Sequence, residues 1–309
     1  MRCLDDDDLG GDPDDACGLI MMLGWPGVEI VGITTTLDPG GRRAGMVYEL
    51  LERAGRTDIP VVAGSGASMT TMSVYNPKTD DVKYWGKTIA SRPARPGAAL
   101  DLLSASIDRD ATVVAIGPMS NIAMLEIAQP RTLSGVPVVM MGGWVYPPEP
   151  GFPEWGPNAD WNIQCDAHAA YIVCQTAEVT LATLPIAMKA HLTTRDLPRL
   201  RKSGPIGNLL ADQTVANAEE ASFSELCEEH SSLPDDLLNF HWDPVALAVA
   251  VEWDGATIEE MAIRPELDSR LLRFHPDNAG RSMRVLVDLD AQAFGEAWLA
   301  SIERAQADN

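Results

Sequence analysis

An acidic segment near the amino terminus restricts the fold of this chain more than any other feature. Residues 5–15 read D-D-D-D-L-G-G-D-P-D-D, so seven of these eleven residues are aspartate. Seven neighbouring carboxylates repel one another, and some would take up protons unless a cation neutralises them. Gly10 and Gly11 allow the tight backbone path that would turn several carboxylates inward. We therefore expect the fold to gather these carboxylates around a metal ion, with a solvated acidic turn as the simpler alternative.

Apolar runs and helical segments alternate along the chain. The first strand is predicted over residues 1–4, and the acidic segment separates it from a helix over residues 14–23. Repeated strand–loop–helix units with continuous apolar strands indicate an α/β fold, with a mainly parallel sheet and helices on both faces. Binding sites of such folds lie in loops at the carboxyl ends of the strands. Further strands are predicted over residues 28–36, 60–63, 112–116 and 136–141, and further helices over residues 41–54, 120–127 (capped by Ser120), 166–176 (capped by Asp166), 244–251 and 290–304 (capped by Asp290).

Residues 1–309 are predicted to form a single domain, because no repeat, low-complexity tract or linker interrupts them. Residues 205–243 are predicted to be a helical excursion on its edge. Two long irregular stretches, residues 65–96 and 142–162, contain aromatic side chains such as Tyr75. We expect these stretches to form a lid or a pocket wall.

The net charge of the chain excludes two classes of partner. The 309 residues include 45 acidic and 23 basic residues, which gives a formal charge of −22. Nucleic acids and anionic membranes are bound through basic surfaces, so we expect neither as a partner. No apolar run approaches the roughly 18 residues of a membrane span, and the first residues lack the apolar core of a signal peptide. Five cysteines without a C-x-x-C pair favour a reduced, cytoplasmic protein.

Motifs along the whole chain resemble those of the inosine–uridine-type nucleoside hydrolases. Residues 6–10 (D-D-D-L-G) followed by residues 14–16 (D-D-A) resemble the D-x-D-x-G…D-D-A signature of that family, with a loop lengthened by residues 11–13. The match is collinear from about residue 1 to about residue 305, which makes it far more specific than any single motif. The later motifs are V-G-I-T-T at 31–35, I-G-P-M-S-N-I-A-M at 116–124, M-G-G at 141–143, D-W-N-I at 160–163 and W-D-P at 242–244.

The resemblance implies a Ca²⁺-dependent hydrolysis of the N-glycosidic bond of a nucleoside to free base and ribose. Ca²⁺ is held by several oxygen atoms and activates water, and a neighbouring carboxylate then accepts the proton. By resemblance, Asp8 is both general base and metal ligand. The further implied metal ligands are Asp15, Asp243 and the backbone carbonyl of Ile116, and the residues implied to hold ribose hydroxyls are Asp14, Asn162 and Asp160.

The departing base needs a proton donor or a stacking partner. Many family members have a histidine directly before the late aspartate, but here Trp242 takes that position and His241 precedes it. Both are candidate catalytic residues, although successive helical side chains point about 100° apart and so face different directions. A tryptophan at this position resembles the purine-preferring members, in which indole rings stack on the base. Trp85, Tyr84 and Trp155 are candidates for the second face of the base.

Two departures from the family pattern predict an altered pocket. The usual Gly-Asn after the second strand is replaced by residues 36–39 (T-L-D-P), where Asp38 is the candidate substrate-binding residue and Pro39 stands in place of the asparagine. Asp160 is one methylene shorter than the usual glutamate. A specialised or modified nucleoside is therefore an alternative substrate, and a non-catalytic binding protein is an alternative function.

A Mg²⁺-dependent phosphatase of the haloacid-dehalogenase type is a further alternative, because it also places aspartates after its first strand. That class expects D-x-D-x-[TV], whereas Leu9 and Gly10 follow the aspartates here. The expected partner is a small nucleoside. Family analogy also implies a homodimer or homotetramer.

Overall fold

The computed structural model describes residues 1–10, 12–74 and 80–307, so Gly11 and Tyr75 lie outside the described residues. The strands are β1 (Arg2–Asp7), β2 (Glu29–Thr35), β3 (Val61–Ala63), β4 (Thr112–Ala115), β5 (Pro137–Met141), β6 (Glu178–Ala182), β7 (His191–Thr193), β8 (Leu237–Phe240), β9 (Ala256–Asp268), β10 (Leu271–Pro276) and β11 (Arg281–Leu289). The helices are α1 (Asp14–Leu23), α2 (Arg42–Arg53), α3 (Asp81–Trp85), α4 (Ala98–Ile107), α5 (Ser120–Ala128), α6 (Trp161–Cys165), α7 (Ala167–Thr176), α8 (Leu184–Ala187), α9 (Leu197–Lys202), α10 (Pro205–Glu220), α11 (Phe223–Glu229), α12 (Trp242–Ala250) and α13 (Ala291–Ala307), with a 3₁₀ turn at Pro157–Ala159.

Nine of the described strands form one sheet in the order β10-β9-β11-β6-β5-β4-β1-β2-β3. From β11 to β3 the strands pair in parallel, whereas β9 and β10 extend the sheet in antiparallel fashion. Parallel strands need crossover connections, and helices α1, α2, α4, α5 and α7 lie in the connections between them. The predicted mainly parallel α/β fold is confirmed.

Side chains on the central strands are buried on both faces of the sheet. In β4, Val114 packs into one apolar cluster with α1, α2, α12 and α13, while Val113 and Ala115 pack into a second cluster with α4, α5 and α7. Successive strand residues point to opposite faces, so a strand covered on both sides reads as a continuous apolar run. This is why the central strands were recognisable from sequence.

Strand β1 is longer than the sequence predicts, because it runs to Asp7 and not to Leu4. Pairing with both β2 and β4 continues along the acidic residues. Asp6 Oδ1 accepts hydrogen bonds from the Thr34 hydroxyl and from the Asn121 amide, both at 2.7 Å. These two donors offset the loss of hydration of a buried carboxylate. Three of the seven aspartates therefore belong to the sheet and are buried in it.

Two of the three predicted helix caps are confirmed. Asp166 caps α7, and the Asp290 carboxylate accepts the N–H of Ala293 at 3.0 Å at the start of α13. The prediction for Ser120 is wrong: α5 begins without a side-chain cap, and the Ser120 hydroxyl donates to Asp166 Oδ2 at 2.6 Å.

The segment 205–243 contains a strand in addition to helices α10 and α11. Strand β8 pairs with β7 in a separate two-stranded sheet and brings Phe240 and the start of α12 next to the main sheet. Within the described parts of the chain, every helix is too short or too polar to cross a lipid bilayer. The division of the chain into a single domain stays a prediction.

Candidate active site

A cavity of about 600 Å³ opens where the strands β1, β4 and β5 end. Carboxylates and aromatic rings dominate its wall. The carboxylates follow β1, cap α6 or lie in the first turns of α1 and α12. The aromatic rings come from the segment before α6, from the starts of α6, α11 and α12, and from the end of β8. The carboxylates are Asp8, Asp12, Asp14, Asp15, Asp160 and Asp243, and the aromatic residues are Trp155, Trp161, Phe223, Phe240 and Trp242.

The carboxylates near the start of α1 form a compact group. One oxygen from each of Asp12, Asp14 and Asp15 lies within 4.8 Å of the others. The backbone N–H of Asp243 donates to Asp14 Oδ2 at 3.4 Å, which ties the late aspartate to this group. Gly18 permits this approach of α12 to α1, since a Cβ at that position would lie 2.7 Å from the Leu247 side chain.

Burial and mutual repulsion raise the pKa values of several carboxylates in and beside this group. Burial raises the pKa of Asp7 to about 7, against the opposing hydrogen bond from the Leu9 N–H. Burial, and then the charges of Asp7 and Asp8, raise the pKa of Asp15 well above its ordinary value. The pKa of Asp243 is raised in the same way, by burial and then by Asp15. A bound cation would reverse these shifts.

A metal ion also fits the unsatisfied oxygens of this group. Among the described residues, Asp7 Oδ2 and Asp15 Oδ1 are buried without any hydrogen-bond partner. Buried carboxylate oxygens normally have partners, so unpartnered oxygens beside other carboxylates fit a hard divalent cation such as Ca²⁺. The donor set, made only of oxygen atoms, favours the same class of ion.

Asp8 accepts one hydrogen bond and lies beside one buried cation, and the sequence predicted neither partner. The indole N–H of Trp161 donates to Asp8 Oδ2 at 3.2 Å, and Arg43 Nη2 lies 3.7 Å from the same oxygen. Arg43 is only 1% exposed. A sequence signal for this buried cation exists, because Arg43 shares the helical spacing i, i+3, i+7 with the buried Met46 and Leu50.

Asp160 and Asn162 line the cavity, and both are anchored to the ends of neighbouring elements. The Asp160 carboxylate accepts the N–H of Gly143 at 2.6 Å and the N–H of Ile163 at 3.1 Å, so it caps α6. The Asn162 amide donates to the carbonyl oxygens of Ile116 at 2.9 Å and Met141 at 3.2 Å. The Ile116 carbonyl keeps a second lone pair, which a metal ion could use.

The aromatic side of the cavity is built around Phe240 and Trp242. Their rings stack with centroids 4.6 Å apart and planes at 22°. Trp155, which is 38% exposed, packs against both rings at centroid distances of 6.0 and 6.2 Å. The edge of the Phe223 ring meets Phe240 at 5.7 Å. The cavity wall thus contains a carboxylate cluster, here called the acidic end, and an aromatic cluster, here called the aromatic end.

Two predicted site residues, His241 and Trp85, do not line the cavity. The His241 ring is buried against Trp298 and Phe294, with centroids 4.5 and 5.7 Å away. Burial lowers the pKa of His241 to about 3, so the ring is neutral at pH 7. Trp85 is buried in the apolar core beside α2, and its carbonyl accepts a hydrogen bond from Arg53. Neither position supports the catalytic or stacking role implied by the resemblance.

Asp38 also lies outside the cavity wall and has a structural role. Its Oδ1 accepts the N–H of Arg43 at 2.9 Å, and its Oδ2 accepts the N–H of Ala44 at 3.0 Å and the hydroxyl of Thr35 at 2.7 Å. The carboxylate therefore satisfies the first free N–H groups of α2, which favour negative charge. The prediction that Asp38 binds substrate is not supported by this position.

We expect Asp38→Ala to lower the free energy of unfolding by about 1–2 kcal/mol, because the start of α2 loses its capping carboxylate. Urea denaturation followed by circular dichroism measures the change. Asp101→Ala is the matched control, since Asp101 lies in the first turn of α4 and pairs with Arg95 at the surface. Exposed pairs contribute little, so equal losses in the two variants would contradict the capping role.

Comparison with known proteins agrees with this geometry. Residues 3–296 match the sequence model of the family described as "Inosine-uridine preferring nucleoside hydrolase". A pyrimidine-specific ribonucleoside hydrolase of Salmonella paratyphi C is 29% identical over 215 residues, which cover 64% of this chain. The match spans 66% of the length of that relative.

Solved structures show the same fold. A plant nucleoside hydrolase superposes with a TM-score of 0.79 at 22% identity and covers 97% of this chain and 98% of its own. A purine-preferring ribonucleoside hydrolase from Gardnerella vaginalis superposes with a TM-score of 0.78 at 22% identity, with both chains fully covered. Because the family match extends over nearly the whole sequence, the chain belongs to the inosine–uridine preferring nucleoside hydrolases.

Proposed function

We propose that this protein hydrolyses the N-glycosidic bond of ribonucleosides and releases free base and ribose. The observation that carries this proposal is the division of one cavity into an acidic end and an aromatic end. A nucleoside has the same two parts, a polar sugar and a flat aromatic base. The volume of about 600 Å³ lies in the range of small-molecule pockets.

Asp8 is proposed to be the general base that accepts a proton from the attacking water. Its carboxylate lines the cavity at the end of β1. Asp14, Asp160 and Asn162 line the cavity beside it and are proposed to hold the ribose hydroxyls. Oriented hydroxyls fix the sugar relative to the base, which reduces the entropic cost of reaching the transition state.

Ca²⁺ is the proposed metal, and Asp8, Asp15, Asp243 and the Ile116 carbonyl would hold it. When bound, the ion would polarise a water molecule and lower the pKa of that water. The raised pKa values of Asp15 and Asp243 and the unpartnered Asp15 Oδ1 support this assignment. The family match removes the phosphatase alternative.

The aromatic end is proposed to bind the base by stacking, with a preference for purines. Phe240 is buried behind the half-buried Trp242, whose indole would stack on the base, and a purine buries more area on an indole than a pyrimidine does. Since His241 is turned away, the departing base would be stabilised by stacking and protonated by solvent. A modified nucleoside with an enlarged base stays an alternative substrate, because Phe223 and Leu226 extend the apolar wall.

The direct test is to incubate the protein with a panel of purine and pyrimidine nucleosides and Ca²⁺, and to separate free bases by chromatography. Release of base from ribonucleosides, abolished by a chelator and restored by Ca²⁺, is the expected result. If no nucleoside yields free base in the presence of Ca²⁺, the protein is not a nucleoside hydrolase. Binding without release would favour the non-catalytic alternative.

Trp242→Leu is expected to raise KM for purine nucleosides about 10-fold and to affect pyrimidine nucleosides less, because stacking on an indole is lost. Steady-state kinetics on both substrate classes measure the difference. Trp253→Leu is a matched control, since Trp253 is half-buried against Phe294 and outside the cavity wall. Equal changes in KM for purine and pyrimidine nucleosides would contradict stacking of the base on Trp242.

Two further expectations concern the protein in the cell. All five cysteines are free, which supports the proposed reducing, cytoplasmic environment. Assembly into a homodimer or homotetramer stays a prediction, and light scattering of the purified protein measures it.

A further inference from the structure

We propose that Trp161 and Arg43 are positioning residues that together hold Oδ2 of Asp8 and leave Oδ1 as the oxygen that takes part in the reaction. This inference rests on the proposed function of Asp8. The indole Nε1 of Trp161 donates a hydrogen bond to this oxygen at 3.2 Å, and Nη2 of the Arg43 guanidinium forms an ion pair with it at 3.7 Å. They come from different elements, α6 and α2, so the carboxylate is held between two parts of the fold.

The guanidinium of Arg43 is fixed by its other hydrogen bonds. Its Nε donates to the Leu37 carbonyl at 3.2 Å, and its Nη1 donates to the Leu9 carbonyl at 3.1 Å. These carbonyls follow β2 and β1, respectively. Because the guanidinium is planar and rigid, two fixed nitrogens also fix the third, which lies beside Asp8. Nη2 of Arg43 is therefore directed to Asp8 Oδ2, and the charge of the guanidinium also acts on Asp7 and Asp15.

The backbone that carries the Trp161 indole is fixed by its neighbours in the chain. Trp161 is the first residue of α6, between the capping Asp160 and Asn162, which is bonded to the Ile116 and Met141 carbonyls. The ring is 49% exposed and forms part of the cavity wall. A tryptophan is required for this contact, because a phenylalanine ring at the same place has no N–H to donate.

The backbone at Gly117 packs closely against the Asp8 side chain. A Cβ on Gly117 would lie 2.9 Å from the Asp8 Cβ and 3.0 Å from Asp8 Oδ1, so only glycine leaves room for this carboxylate. With Oδ2 held by the Trp161 hydrogen bond and the Arg43 ion pair, and with Gly117 packed close to the side chain, the carboxylate has little freedom to rotate. Partners of this kind orient metal-binding and catalytic carboxylates.

The test is Trp161→Phe, which keeps an aromatic ring and removes only the N–H donor. We expect kcat to fall about 10- to 100-fold, which is the value of a hydrogen bond to a charged group, with KM changed far less. Trp155→Phe is the matched comparison, because Trp155 lines the same cavity but packs against Phe240 and Trp242. We expect Trp155→Phe to change KM more than kcat.

Arg43→Lys provides a second variant, because it keeps the charge and loses the planar fork that holds two carbonyls. We expect a loss of kcat in the same direction as for Trp161→Phe. Folding of both variants is checked by circular dichroism and by their urea midpoints. A kcat within twofold of wild type in folded Trp161→Phe would overturn the proposal.

Calcium affinity separates this proposal from the proposed function. Calorimetric titration of chelator-treated protein with Ca²⁺ alone is expected to show about 10-fold weaker binding for Trp161→Phe, because Asp8 is no longer held in place. If wild type releases no base but Trp161→Phe still binds Ca²⁺ more weakly, the proposed function fails and the positioning role stands. If wild type is active and both kcat and Ca²⁺ affinity are unchanged in the variant, the positioning role fails.

Discussion

Replacing Asp8 by asparagine is expected to lower kcat for nucleoside hydrolysis by about 10³-fold, because the amide cannot accept the proton that the attacking water loses. Asparagine has nearly the same size as aspartate, and its oxygen can still accept the Trp161 N–H. The loss would therefore reflect chemistry and not repacking. Base release under saturating nucleoside and Ca²⁺ measures the effect.

Asp6→Asn is the matched control for this prediction. Asp6 is buried two residues earlier in β1, and its Oδ1 already accepts two hydrogen bonds that an asparagine oxygen can also accept. It does not line the cavity. We expect Asp6→Asn to retain most of the activity. If Asp8→Asn keeps more than a tenth of the wild-type kcat, Asp8 is not the base.

Calcium is expected to raise the melting temperature by about 5–10 °C at pH 8 and by much less at pH 5. The sign follows from the raised pKa values of the buried carboxylates. Asp7, with a pKa raised by burial from 3.8 to about 7, binds a proton in the folded protein that the unfolded chain has already released. Metal-free protein therefore loses stability as the pH rises from about 4 through 7. The pKa values of the proposed ligands Asp15 and Asp243 are raised as well, so Ca²⁺ would replace protons on these carboxylates. The stabilisation by Ca²⁺ is therefore expected to grow as the pH rises over this range.

Thermal melts with Ca²⁺ and with chelator, at several pH values, measure this difference. Asp243→Asn provides an internal test, because it is expected to have opposite effects on the stability of the metal-free and of the Ca²⁺-bound protein. Removing one of several mutually repelling buried carboxylates is expected to raise the melting temperature of metal-free protein, and to abolish most of the increase caused by Ca²⁺. A Ca²⁺ effect that does not depend on pH, or that survives Asp243→Asn, would contradict a carboxylate-built metal site.

Much of the fold was predictable because its signals are local. Continuous apolar strands, helical spacing and glycine-rich turns indicated a mainly parallel sheet, and the pattern of motifs indicated that Asp8, Asp15 and Asp243 meet although they lie far apart in the chain. The structure brings all three to one cavity at the carboxyl ends of the strands. Parallel sheets gather such ends at one edge, which accounts for the place of Asp8, whereas the family resemblance implied that Asp15 and Asp243 join it.

The directions of individual side chains were not predictable in this way. His241 and Trp242 are neighbours in sequence, yet Trp242 lines the cavity and His241 is buried against Trp298. Asp38 and Trp85 occupy loops or helices near the expected site, but one caps α2 and the other packs into the core. A rotation of about 100° per helical residue, together with the packing of distant elements, determines which side chain reaches a pocket.

The sequence by itself thus determined the fold class, the family and the acidic end of the cavity, because strand periodicity and motif order persist along the chain. Tertiary structure alone decided which donors hold Asp8, since Arg43 and Trp161 reach it from separate elements across 35 and 153 positions of sequence. It also decided that Asp5, Asp6 and Asp7 belong to a buried strand, because pairing with β2 and β4 supplies partners that no local pattern reveals. Contacts between distant elements depend on register and packing, and these are properties of the folded chain as a whole.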